Sequence, residues 1–566
     1  MKPGQLLIAL GAAVAVVIAL VVSGGGGGDG KSSSGNGTTP VAKAPKGAVR
    51  VTFAYSPEKE GLLVPLVKQF NAQRTEVGGK PVFVEAVNAS SGDVESRVAR
   101  GKYQPVAWSP SSSLWGGLLN YEADKPLAPA DAPSIVRTPL VFAMWEPMAR
   151  ALGYPKKPIG FSDILDLATN GTGWGKYGHP EYGEFKLVHT NPDYSTSGLS
   201  AVIAEYYAAT GKKEGLTEAD LNSPKVRREV KAIEQSIVHY GDTTLYISDQ
   251  LRQRGLGYAS AVAMEEATLV DFNAHRGSQP KLVGIYPKEG TFYSDDPFIV
   301  LDAPWVTADQ RAGAKAFQAF LAKEITPSVA AKGGFRPADF DAKPVAPIDA
   351  EHGADPAQPT RVLHPPEPQV LAAAKKAWRV DRKPANILLV LDTSGSMQDE
   401  DRLVRAKEGL KIFFREVGQQ DSVGLLTFNQ DLHLLSPIKP FATNRTALES
   451  AVRGLVADGG TAFRDAAVEA FKAVRDLDDR ERINAVVLLT DGEDTDSSRS
   501  FEQALDQLGS QGDSENQVRL YTIAYSAGAA EAQEQLNRLA EATGGKGYEG
   551  TTDDIESVYR SISSFF

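Results

Sequence analysis

The 566-residue sequence contains no cysteine. That absence removes disulfides, thiolate zinc sites, iron–sulfur clusters, cysteine nucleophiles and lipid attachment through an N-terminal cysteine. Positive charge is also in short supply, with 60 Lys and Arg against 71 Asp and Glu and a net charge of −11. This balance argues against nucleic acid or an anionic membrane surface as the main partner, because phosphate recognition rests on clustered basic residues. The seven histidines, at 179, 189, 239, 275, 352, 364 and 433, form no HExxH or other close zinc spacing, so each reads as a surface or satisfied polar residue. No GxSxG elbow occurs, and no glycine-rich phosphate or dinucleotide loop stands between a buried strand and a helix. With no local catalytic motif, the chain reads as non-enzymatic.

Long apolar runs are absent except at the amino terminus. Leu6 to Val22 (LLIALGAAVAVVIALVV) is a 17-residue uncharged stretch. As a helix it would be about 26 Å long, near the roughly 30 Å of a hydrocarbon core and longer than the usual core of a signal peptide. We read residues 1–23 as an uncleaved signal anchor, with cleavage near Ser23 and Gly24 as the alternative. Lys2 on the N-terminal flank keeps that end in the cytoplasm and sends the bulk of the chain outside. The expected location is the cell membrane, single-pass, or the medium if the segment is cleaved. Residues 24–47 are a Gly/Ser-rich flexible tether. Residues 341–384 hold eight prolines and form a second punctuated stretch, in which only Leu371 to Val380 looks helical. The domains are therefore 48–340 and 385–566.

The second domain is the more legible. Asn386–Leu391 (NILLVL), Val423–Phe428, Ala485–Leu489 and Leu520–Ala524 are apolar runs of strand length. Between them, segments such as Arg402–Val417, Phe463–Val474 and Ala530–Ala542 carry helical spacing. Alternating buried strands and amphipathic helices imply an α/β, doubly wound parallel sheet, whose ligands bind beyond the carboxyl ends of the strands. At the first such end stands Asp392-Thr393-Ser394-Gly395-Ser396, and Thr461 and Asp491 occupy later loop positions. Carboxylate and hydroxyl oxygens suit a hard divalent cation, although Asp and Ser are also ordinary helix caps. This segment resembles the von Willebrand factor type A domain, whose metal-ion-dependent adhesion site is carried by DxSxS, a later Thr and a later Asp. The resemblance implies Mg²⁺ or Mn²⁺, with Ser394, Ser396 and Thr461 as hydroxyl ligands and Asp392 and Asp491 binding directly or through water. One position would stay open for an acidic side chain of a protein partner. Glu493, Asp494 and Asp496 read as a solvated rim.

In the first domain, Val49–Tyr55 alternates as a strand and ends at Ser56-Pro57. Strands at Val82–Val87, Tyr103–Trp108 and Lys186–Thr190 lead into Ser- and Thr-rich turns at probable helix starts. Helix N-termini present free N–H groups and partial positive charge, so converging ones hold an anion without Lys or Arg. The segments Ser90–Trp115, Asn191–Val202, Ala261–Val270 and Tyr286–Trp305 resemble the bacterial extracellular solute-binding proteins, two-lobed and periplasmic-binding-protein-like, particularly those for tetrahedral oxyanions. Ser56, Ser91, Ser109 and Ser197 are the candidate ligand contacts, with helix capping as their alternative role. Glu265 and Glu266 fall where that family has an acidic pair. A carboxylate repels a bare anion, which leaves room for an anionic or zwitterionic organic solute. The expectation is a membrane-anchored binding protein with a solute module and a metal-dependent interaction module. The alternative is the solute-binding component of an ABC-type anion transport system.

Overall fold

The structure is a computed structural model and describes residues 44–566 apart from 511–516, 526–529 and 552–554. The chain divides into a unit of residues 1–34 and a unit of residues 35–566. The apolar stretch Leu6–Val22 lies outside the described residues, and among those that are described no helix is long and apolar enough to cross a membrane.

Two sheets form the first domain. Val49–Tyr55, in which Val49, Val51, Phe53, Ala54 and Tyr55 are buried, is the centre of the first sheet. It pairs in parallel with Lys80–Asn88 on one side and Ala107–Ser109 on the other. After the helix Leu114–Ala123 the chain passes to a second sheet built on Val136–Trp145, whose ten residues are all buried. That sheet runs Tyr293–Ser294, Val136–Trp145, Ala261–Glu265, Leu187–Thr190, Ile237–Gly241. The chain then returns to the first sheet at Ile299–Val300, antiparallel to Ala107–Ser109, and Arg336–Pro337 rejoins the second. These crossings make two lobes joined by several strands.

Residues 341–384 are packed against the first domain. The helix Pro368–Asp381 contacts Leu114–Ala123 of the first lobe as well as Thr196–Thr210 and Pro224–Glu234 of the second. Its Arg379 and Lys375 pair with Asp193, and Trp378 is buried.

The C-terminal sheet runs Leu432–Pro440, Ser422–Phe428, Ala385–Asp392, Ile483–Thr490, Val518–Tyr525, Gly547–Gly550. All pairings are parallel except that of the edge strand Leu432–Pro440. The antiparallel edge has no buried-strand pattern in the sequence, because LHLLSPIKP has mostly exposed side chains and two prolines. Helices on both faces cover the four inner strands, as the alternating pattern requires.

The two domains dock through the amino ends of these strands. Phe565 is fully buried between Tyr246 and His239 of the first domain and Tyr521 of the second, with ring centroids 5.3, 6.3 and 4.8 Å away. Around it, Tyr246 donates to the Gly544 carbonyl at 3.1 Å and Arg254 donates to the Glu541 carbonyl at 2.5 Å. Lys546 pairs with Asp242 at 2.5 Å. Because the central strands are parallel, docking at their amino ends leaves the carboxyl ends on the opposite side.

Candidate metal centre and solute cleft

Asp392 is the last residue of Ala385–Asp392 and is fully buried. Its Oδ1 accepts the Ser394 N–H at 2.7 Å and its Oδ2 accepts the Thr490 hydroxyl at 2.5 Å. Ser394 and Ser396 place their hydroxyl oxygens 3.1 Å apart, and Ser396 donates to Asp491 Oδ1 at 2.8 Å. Thr461 joins them across Gly492, where an added Cβ would lie 3.7 Å from Ser396 Oγ and 3.8 Å from Thr461 Oγ1. All five residues marked by the sequence pattern are therefore gathered at one sheet end.

The loop carrying Thr461 is held from both sides. Gly459 has φ +83°, and its carbonyl accepts the Gly395 N–H at 2.9 Å, while a Cβ there would overlap Gln430 Oε1. This is a conformation and a close approach that favour glycine. Asp496 accepts the Thr461 N–H at 3.1 Å, and Asp494 accepts the Arg464 N–H at 2.9 Å and the Ser497 hydroxyl at 2.7 Å. The rim reading therefore fails for Asp494, whose side chain is buried. Asp496 and Glu493 are exposed, in keeping with a solvated rim, although Asp496 also braces the loop by satisfying a backbone N–H group.

Electrostatics at this end are unbalanced toward negative charge. Burial pushes the Asp392 carboxyl up to about 6, against the hydrogen bonds from Thr490 and Ser394, and Asp491 adds repulsion. Arg402 Nη1 binds Asp491 Oδ2 at 2.8 Å and stands in as the local cation. It is the first residue of the helix Arg402–Glu416 and follows Glu400 and Asp401, both at positive φ. Two carboxylates and three hydroxyls around one point, with a guanidinium drawn to them, fit a hard divalent ion. Asp392, Ser394, Ser396, Thr461 and Asp491 would hold it. When bound, such an ion offers a Lewis-acidic position to an incoming carboxylate.

The solute cleft lies between the lobes of the first domain. It is lined by Ser56, Glu58, Ser90, Ser91, Ser111, Ser195, Thr196, Asp242, Thr243 and Thr244, among others, and has space for about one water. Ser91–Ala99, Thr196–Thr210 and Thr244–Arg254 all begin here, so three helix N-termini converge. Of the four serines singled out in the sequence, Ser56 and Ser91 reach the cleft. Ser109 is buried in its strand with an unpaired hydroxyl, and Ser197 bonds to Thr190 at 2.8 Å behind the cleft wall.

The sequence pattern did not reveal Glu58. Its Oε1 accepts the Ser111 hydroxyl at 2.8 Å and also the Ser56 hydroxyl. An internal carboxylate thus occupies donors that an oxyanion would need. Glu265 lies behind it, bonded to Thr244 at 3.0 Å, and burial followed by repulsion from Glu58 pushes its carboxyl up to about 7. Glu266, its neighbour, is neutralised by Arg336 at 2.7 and 2.6 Å.

Comparison with known proteins agrees with this division. The family described as von Willebrand factor type A domain matches residues 386–559. "Calcium-activated chloride channel regulator 3A-1" of Mus musculus is 30% identical over 212 residues, 37% of this chain and 22% of its own. "Calcium-activated chloride channel regulator 1" of Bos taurus is 28% identical over 211 residues, 36% and 21% of the two chains. The chain thus spans about a fifth of the length of these curated relatives. Among solved structures, "Periplasmic thiamin binding protein" aligns with 60% of this chain and 97% of its own at 10% identity and a TM-score of 0.43. "von Willebrand factor type A from Catenulispora acidiphila" aligns over 32% and 42% at 20% identity and a TM-score of 0.28. The family described as "Bacterial extracellular solute-binding protein" matches residues 51–336, about half of the sequence, and the chain belongs to that family, with a von Willebrand factor type A domain following it.

Proposed function

We propose that the protein is a membrane-anchored extracytoplasmic binding protein whose C-terminal domain captures a protein partner through a divalent ion. The observation that carries this reading is the gathering of Asp392, Ser394, Ser396, Thr461 and Asp491 at the sheet end opposite the docked domain. Mg²⁺ or Mn²⁺ held there keeps a coordination position for a partner's Asp or Glu, and no covalent chemistry is required. Leu6–Val22 supplies the anchor, and its neighbour Lys2 sets the orientation. Electron paramagnetic resonance of Mn²⁺ tests the partner reading. The spectrum of Mn²⁺ with the full chain is expected to change on adding an aspartate-containing peptide, and not in Asp392→Ala. A peptide that leaves the wild-type spectrum unchanged defeats a metal-bridged partner.

For the first domain we propose a small organic solute carrying a cationic group alongside its anionic one. Three helix N-termini favour the anion, whereas Glu58 in the same wall favours a neighbouring positive charge. Thermal shift with the full chain against anionic, zwitterionic and cationic solutes discriminates, because binding to the native state raises the melting temperature. A response confined to bare oxyanions would contradict the proposal.

A further inference from the structure

Among the described residues, His189, Glu205 and Glu234 bring one ligand atom each to within 4.8 Å of one another, and all three are buried. They come from the strand Leu187–Thr190, the helix Thr196–Thr210 and the last position of the helix Pro224–Glu234. His189 Nδ1 lies 2.7 Å from the Thr190 carbonyl oxygen. A carbonyl can only accept, so Nδ1 carries a proton and Nε2 is the ring nitrogen left for a second proton or a cation. That Nε2 faces Glu234 Oε1 at 3.1 Å, an acceptor against an acceptor unless a proton or a cation lies between them.

Glu205 has the same need from the other side. Both of its carboxylate oxygens are buried and make no hydrogen bond. Among the described residues no Lys or Arg forms an ion pair with Glu205 or Glu234. A dry cluster of two carboxyl groups and an imidazole needs protons or a cation to balance it, because leaving buried charge uncompensated is costly. The surroundings are arranged as for ligands. His189 is oriented by a backbone carbonyl, and Glu234 Oε2 accepts the Tyr240 hydroxyl at 2.6 Å and the Trp378 indole N–H at 3.0 Å.

We infer that His189, Glu205 and Glu234 form a structural site for a divalent transition metal of the Zn²⁺ class, separate from the oxygen-only site around Asp392. One imidazole nitrogen with two carboxylates suits Zn²⁺ or Co²⁺ and disfavours Mg²⁺, and a two-oxygen grip by Glu205 completes four donors. The ion would enter during folding and would brace the junction between domains. Trp378 lies on the helix packed across both lobes, and the Lys383 N–H, two residues before Ala385–Asp392, donates to the Tyr240 hydroxyl at 3.2 Å.

The test refolds the full chain with Zn²⁺ or Co²⁺, strips loose ions with chelator and gel filtration, and measures metal content. Wild type and Asp392→Ala are expected to retain close to one Zn²⁺ per chain, with Co²⁺ giving visible d–d absorption, while Glu205→Gln retains none. Folded wild type that holds no transition metal overturns the site, as does full retention by Glu205→Gln. If Glu205→Gln does not fold, the wild-type Co²⁺ spectrum decides, and a colourless protein means that a shared proton fills the cluster instead.

Discussion

The solute cleft and the metal centre are built from the same side chains, Ser, Thr, Asp and Glu at strand ends and helix starts, yet their internal partners are opposite in sign. In the cleft, Glu58 takes the hydroxyls of Ser56 and Ser111. At the metal centre, Arg402 takes the carboxylate of Asp491. An acceptor inside a donor-rich pocket and a cation inside an acceptor-rich one show that hydroxyl-rich loops have no fixed preference. The charges placed among them decide. The two sites also differ in position, because Asp242 of the cleft wall pairs with Lys546 of the second domain, whereas the metal centre is at the far end of the sheet.

The largest way to break this comparison is to separate the domains. Phe565→Ala removes a buried aromatic from the docking surface and is expected to cost about 3–5 kcal/mol, read by chemical denaturation of the full chain. An unchanged denaturation curve would mean that the domains do not stabilise one another.

Metal-site substitutions sharpen the comparison next. Ser396→Ala or Thr461→Ala removes one neutral oxygen and is expected to weaken Mg²⁺ binding roughly tenfold, about 1.4 kcal/mol. Arg402→Gln removes the competing cation and is expected to tighten it by a similar factor. Weaker binding in Arg402→Gln would show that the guanidinium positions Asp491 and does not compete for it.

The converse change in the cleft is Glu58→Gln. Sulfate or molybdate is expected to raise the melting temperature of this variant more than that of wild type, since Ser56 and Ser111 become available to an anion. Equal shifts would remove Glu58 from the account.

A pH dependence sharpens the comparison last. Glu265 has a folded value of about 7, raised above its unfolded range, so the folded state holds the proton more tightly. Its stabilising contribution is therefore greatest below pH about 4.5 and is lost as pH rises toward 7. Relative to wild type, Glu265→Gln should gain stability across that window and then level off. A constant difference from pH 4 to 8 would contradict the assignment.

The second domain was legible because its parallel strands are buried on both faces and therefore continuously apolar, as in Asn386–Leu391 and Ala485–Leu489. Its candidate metal ligands follow a spaced motif that survives projection onto one dimension. Glu58 was not legible, since one acidic residue beside Ser56-Pro57 looks like ordinary first-turn acidity. His189 is a buried residue with a partner at each ring nitrogen, as the satisfied-polar reading expects, but its carboxylate neighbours were not legible. Its partners Glu205 and Glu234 are distant in sequence and meet only through the packing of two helices on a strand. Patterns also mislead in the other direction. Gly25–Ser32 (GGGGDGKS) spells a phosphate-loop string, but in the sequence it follows an apolar stretch and a glycine run, and it lies outside the described residues.

The central claim is that the carboxyl end of the second sheet is a divalent-ion site set by Asp392. Calorimetric titration of Mg²⁺ into the full chain and into Asp392→Ala tests it most directly. The account predicts saturable binding in wild type and at least about a hundredfold loss in the variant, near 2.7 kcal/mol, with unchanged circular dichroism. Equal heats and affinities in the two proteins would contradict it.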